Sequence, residues 1–144
     1  MSKREIELYI VDILIAIDKI KRYSKKFDSA QNLLHSDLEW DATIRELEII
    51  GEATNKLLKS DILDKEYRII VDFRNQINHG YFGIDENVVW EVINSYLLEF
   101  RIELITIIKS QNINLNEAII CAKEDNYFST LTTKFLNDLN REVQ

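Results

Sequence analysis

Apolar residues recur along this chain at steps of three and four, in long runs with few interruptions. Ile6, Ile10, Ile13, Leu14, Ile17 and Ile20 make a first stripe, and Trp40, Ile44, Leu47, Ile50 and Leu57 a second. A third passes through Ile62, Leu63, Ile69, Ile70, Phe73 and Ile77, and a fourth runs from Val88 and Val89 through Phe100 to Ile108. Such spacing is the mark of helices with one buried face. The helix starts are legible too. Ser2-x-x-Glu5 and Ser36-x-x-Glu39 read as capping boxes, in which a hydroxyl and a carboxylate satisfy the first backbone N–H groups. Asp61 reads as the start of the third helix, Gly80 as its stop, and Asp85-Glu86 as the cap and acidic first turn of the fourth. Residues 28–35 read as a polar loop with His35 on the surface. Four helices with short connections predict an all-α fold, an antiparallel four-helix bundle.

From residue 112 the texture changes. Asn114-x-x-Glu117 can cap a further helix through Ala118, Ile119 and Ala122, and a last amphipathic piece passes through Phe128, Leu131, Phe135, Leu136 and Leu139. This predicts a bundle over residues 1–111 and a C-terminal helical extension over 112–144, packed on the bundle or on a second subunit.

The chain has 144 residues, 46% of them hydrophobic and 30% charged, which suits one globular domain. It has no proline and three glycines, so its helices meet few breakers. One of those glycines, Gly51, sits inside the second helix. There it costs roughly 1 kcal/mol against alanine, a cost usually tolerated where two helices approach closely. The single cysteine, Cys121, excludes an internal disulfide and a cysteine-based zinc cluster, and reads as a small apolar residue in a reducing, cytoplasmic compartment. No apolar run reaches the ~20 residues that span a bilayer, so no membrane role is expected. The net charge of −7 disfavours non-specific nucleic-acid binding, and any RNA contact must rest on a local basic surface. Lys19, Lys21, Arg22, Lys25 and Lys26, at the end of the first helix, could form such a patch; equally, they could be a solvated end complementing the helix dipole.

The chemistry-bearing residues concentrate in one window, Arg74-Asn75-Gln76-Ile77-Asn78-His79-Gly80-Tyr81. Histidine can take or give a proton near neutral pH. The planar arginine fork fits phosphate oxygens. Together they suit a phosphodiester, with His79 taking the proton from a ribose 2′-hydroxyl and Arg74 stabilising charge on the phosphate oxygens. Asn75 and Asn78 could orient substrate or imidazole. Arg74 and His79, five residues apart, diverge by ~140° on a regular helix, so their convergence requires the helix to end between them. A blander reading is a helix end at which His79 caps carbonyls and Tyr81 and Phe82 pack. Upstream, Arg45, Glu48 and Glu52 share a face, either as an exposed ion-paired ridge or as a polar wall beside this window.

The chain resembles the HepT-like branch of the HEPN superfamily. The resemblance is carried by Arg74-Asn75-x-x-x-His79-Gly80-Tyr81-Phe82-Gly83, by the trailing Asp85 and Val89-Trp90, and by Ile44-Arg45-x-Leu47-Glu48-Ile49-Ile50-Gly51-Glu52-Ala53. It covers roughly residues 4–110, and the tail departs from the compact family pattern. It implies an all-α HEPN-type bundle forming a homodimer, and a toxin of a type II toxin–antitoxin pair that cleaves RNA without metal or other cofactor. By resemblance, Arg74 and His79 are the catalytic pair and Asn75 supports them. Tyr81 is the tyrosine that the partner, a minimal nucleotidyltransferase antitoxin of the MntA type, modifies with AMP. Two other readings stand beside this one: a non-catalytic module that binds nucleotide or presents substrate to a nucleotidyltransferase, and a purely structural helical dimer.

Overall fold

The computed structural model of the chain describes residues 1–79 and 83–144. Among the described residues every regular element is a helix, without a strand. Gly80, the expected helix stop, lies outside them.

Helix α1 spans Lys3–Ser24. Ser2 and Glu5 close the predicted capping box, each side chain taking the other's backbone N–H at 3.2 and 2.8 Å. The helix buries more than one stripe. Val11, Ile15 and Ala16 are buried beside Ile10, Ile13, Leu14, Ile17 and Ile20, because α1 packs against helices on several sides.

Residues 28–35 are not simply a loop. Ser29 caps Asn32 N–H at 3.2 Å, and a short helix α2, Ala30–Leu34, buries Ala30 and Leu33. Helix α3 spans Asp37–Leu58. Its expected capping box is not made. The Ser36 hydroxyl bonds to Glu39 Oε2 at 2.6 Å, so the two side chains satisfy each other and leave the backbone uncapped.

The third long helix starts later than the sequence suggests. Asp61 adopts φ +61°, a left-handed turn that ends α3 and cannot open a helix. A single 3₁₀ turn, Lys65–Tyr67, precedes α4, Arg68–His79. Tyr67 stacks on Phe100 with ring centroids 4.9 Å apart, which pins the start of α4 to the fourth rod.

That rod begins as predicted, with Asp85 capping Asn87 N–H at 2.9 Å. It is not uniform, however. It runs as α5 (Glu86–Glu91), one π-helical turn (Val92–Tyr96) and α6 (Leu97–Ser110). The Asn94 amide donates to Trp90 O at 2.9 Å, taking the carbonyl that its own backbone N–H would use. Leu97 N–H correspondingly bonds back to Val92 O, five residues earlier.

The tail forms α7 (Asn116–Asp125) and α8 (Thr130–Glu142). Both pack on α1. Their Leu115, Ala118, Ile119, Leu136 and Leu139 join the core that contains Leu14, Leu47, Ile70 and Phe100. The fold is thus an all-α bundle of four rods, α1, α3, α4 and α5–α6, with a helical pair added along α1. Among the described residues, no helix is long and apolar enough to cross a membrane.

Candidate active site

The site is built on the seam between α3 and α4. The short reversal after Leu58 makes these helices antiparallel, and Gly51 on α3 comes opposite Arg74 on α4. A Cβ added at Gly51 would stand 2.3 Å from Arg74 Cβ and 2.6 Å from its Cγ. Gly51 is therefore the point of close approach that its mid-helix position suggested, and its partner is the arginine singled out for chemistry.

Arg74 is half-buried. Its Nη1 donates to Asn75 Oδ1 at 3.2 Å. With the Asn78 amide oriented oxygen-first, that oxygen accepts from Nε at 3.0 Å and from Nη2 at 3.3 Å. Three of the guanidinium's five N–H donors are so engaged. Among the described residues no carboxylate pairs with Arg74. Among the described residues its hydrogen-bond partners are amide dipoles, which orient a cation without neutralising it. That leaves it suited to an anion supplied from outside, and phosphate fits the planar fork.

Convergence of Arg74 and His79 required the helix to end between them, but α4 continues to His79. The two backbone positions thus stay ~140° apart about the axis. The asparagines reduce that separation from one side. Asn75 and Asn78 lie at ~100° and ~40° from Arg74 in the direction of His79. A guanidinium bonded to both leans along α4 toward the helix end and part of the way around to the His79 position. The His79 side chain, together with Tyr81, lies outside the described residues.

Antiparallel register sets the relation to α3. Each residue that α4 advances beyond Arg74 moves ~1.5 Å back along α3 from Gly51, so the end of α4 is level with residues 45–48. Glu48 lies one turn before Gly51 on the same face and is largely covered, whereas Arg45 is 70% exposed and meets Glu48 only at 3.8 Å. Glu52 is exposed, about 100° around from Gly51. Of the three residues proposed for a wall, Glu48 is therefore the one turned to the seam.

The basic end of α1 is partly committed within the molecule. Arg22 pairs with Asp18 at 3.0 Å and reaches Thr132 Oγ1 at 3.1 Å, and Lys26 pairs with Glu39. Lys26 and then the Ser36 hydroxyl hold the Glu39 carboxyl down to about 2. Among the described residues, no group of three or more His, Cys, Asp or Glu side chains is placed to hold a metal ion.

An all-α HEPN-like bundle with a cation presented on a helix–helix seam defines the class. The particular family follows from comparison with known proteins. The ribonuclease HepT-like family model matches residues 13–107, and the chain belongs to this family. The match includes Gly51, Arg74, His79 and Tyr81 and leaves out α7 and α8. The chain is 34% identical to "Putative RNase MJ0125" of Methanocaldococcus jannaschii over 113 residues, 76% of this chain and 96% of the relative. It is 33% identical to "Putative RNase MJ1216" of the same organism, over 76% of this chain and 92% of the relative. It is 31% identical to "Probable ribonuclease HepT" of Thermococcus cleftensis, over 63% of this chain and 84% of the relative. No solved structure matches the chain.

Proposed function

We propose that this protein is a metal-independent endoribonuclease and the toxin of a toxin–antitoxin pair. His79 takes the proton of a ribose 2′-hydroxyl. The 2′-oxygen forms a bond to the adjacent phosphorus, and the bond to the 5′-oxygen breaks. The leaving oxygen receives a proton, and a 2′,3′-cyclic phosphate remains. Arg74, held by Asn75 and Asn78, stabilises the charge that grows on the phosphate oxygens. A homodimer supplies a second His79, so that one imidazole acts as base and the other as acid. A minimal nucleotidyltransferase antitoxin silences the site by transferring AMP to Tyr81, adding charge and bulk that repel RNA.

The observation that carries this reading is the Arg74 guanidinium, fixed by two amides with donors remaining and no carboxylate partner among the described residues. Membership of a family described as ribonuclease HepT-like supports the substrate class. The test is cleavage of RNA by purified, unmodified protein in the presence of a chelator. Wild type is expected to cut, and His79→Ala and Arg74→Ala to lose that activity. Cutting at the wild-type rate by either variant would overturn the assignment. Nucleotide binding with no RNA cleavage would favour the non-catalytic module.

A further inference from the structure

We propose that Gly51 is a positioning residue for Arg74, a notch in α3 that sets where the guanidinium reaches. Its catalytic consequence rests on the ribonuclease reading; its geometry does not. A Cβ on residue 51 would meet Arg74 Cβ at 2.3 Å, Arg74 Cγ at 2.6 Å and Ile70 O at 3.3 Å. Unbonded carbons settle ~3.5–4.0 Å apart.

The atoms in the way are the root of the arginine side chain and the α4 backbone, not a flexible tip. Rotation about the first side-chain torsion can remove Cγ from the notch, but it leaves Cβ where the backbone puts it. A methyl group at position 51 therefore has two effects. It pushes α4 off α3 by about 1.2–1.7 Å, the shortfall from ordinary carbon contact. It also drives Cγ to another staggered well, which takes the guanidinium off Asn78. Either response moves the cation relative to the wall that carries Glu48.

Helix propensity points the opposite way, since alanine is the better helix former. The glycine is thus explained by what it admits and not by α3 itself. Asn75 and Asn78 orient the guanidinium from its own helix, and Gly51 sets its depth from the neighbouring one. A displacement of about 1 Å at a reacting group can lower a rate on the order of a hundredfold.

The experiment is Gly51→Ala, read in two ways. The first readout is the Nε–H resonance of Arg74 in an arginine-selective nitrogen–proton NMR spectrum, assigned by its loss in Arg74→Ala. The second is steady-state cleavage of a single-stranded RNA with chelator present, per folded molecule. The expected result is a shifted Nε–H signal and a kcat lowered roughly ten- to a hundredfold, with KM changed much less. An unchanged Nε–H signal, or a shifted signal with undiminished kcat, would overturn the positioning role. If Gly51→Ala does not fold, Gly51→Ala with Arg74→Gly removes the clashing Cβ; recovery of the fold supports the notch, and failure to recover overturns it. If wild type cuts no RNA, the ribonuclease reading falls by itself, and the arginine resonance still decides whether Gly51 places Arg74.

Discussion

Arg101 on α6 and Glu142 at the end of α8 form a two-pronged ion pair, with Nη2–Oε1 at 2.7 Å and Nη1–Oε2 at 3.1 Å. The pair joins the last helix within the family match to the last helix of the chain. Hydrogen bonding to Arg101 holds the Glu142 carboxyl below its ordinary value of 4.5. A depressed folded value means stability that is present above the unfolded value and lost as pH falls through the folded one. Glu142 is 39% exposed, so solvent screens the pair. Glu142→Gln is expected to lower unfolding free energy at pH 7 by about 0.5–1 kcal/mol. The gap from wild type should narrow as urea titrations are taken below pH 4.5.

Glu46 has the opposite sign. Burial raises its carboxyl above 4.5, against the opposing pull of Lys19, Arg45 and Arg22. A raised folded value gives stability that is whole below the unfolded value and lost as pH rises through the folded one. Glu46→Gln is therefore expected to raise the urea midpoint at pH 7 and to give little change at pH 4. A lower midpoint at pH 7 would mean that the three surrounding cations outweigh desolvation.

The tail divides into a part that holds the fold and a part that does not. Leu136 is fully buried, whereas Phe128 is 74% exposed. Leu136→Ala should cost about 2–5 kcal/mol, the range for a lost leucine in a packed core. Phe128→Ala should stay within about 0.5 kcal/mol. Chemical denaturation of both variants checks this. Equal, small effects would mean that α8 is not part of the cooperative core.

Asn78 separates the stability of the helix from the action of the site. Its side chain is exposed, so Asn78→Ala should leave unfolding free energy within about 0.5 kcal/mol. It removes an acceptor from the Arg74 guanidinium, so the cation is held less firmly where phosphate charge would grow. RNA cleavage is accordingly expected to fall tenfold or more, about 1.4 kcal/mol per factor of ten. Undiminished cleavage would show that Arg74 is held well enough by Asn75 and Gly51.

The helical rods were legible because their evidence is local. Ile10, Ile13, Leu14 and Ile17 show their period without reference to any other segment, and Ser2 and Glu5 make their box within one turn. Errors arose where a side chain had two possible partners or the backbone two possible paths. Glu39 has the right spacing from Ser36 but bonds to its hydroxyl and to Lys26. Asp61 looks like a helix cap but takes a left-handed turn. Asn94 is unremarkable in sequence, yet its amide takes the Trp90 carbonyl beside the π-helical turn.

The sequence by itself determined an all-α chain, its main apolar faces, and the concentration of a guanidinium, two asparagines, an imidazole and a phenol within one short window. Those properties depend on spacing along one strand of covalent chain. Only the tertiary structure decided that Gly51 lies against Arg74 and that α7 and α8 close over α1. The pairing of Gly51 with Arg74 joins residues 23 positions apart. It exists because two antiparallel helices can approach this closely only where a side chain is missing, and no periodicity within either helix names the residue that fills the gap.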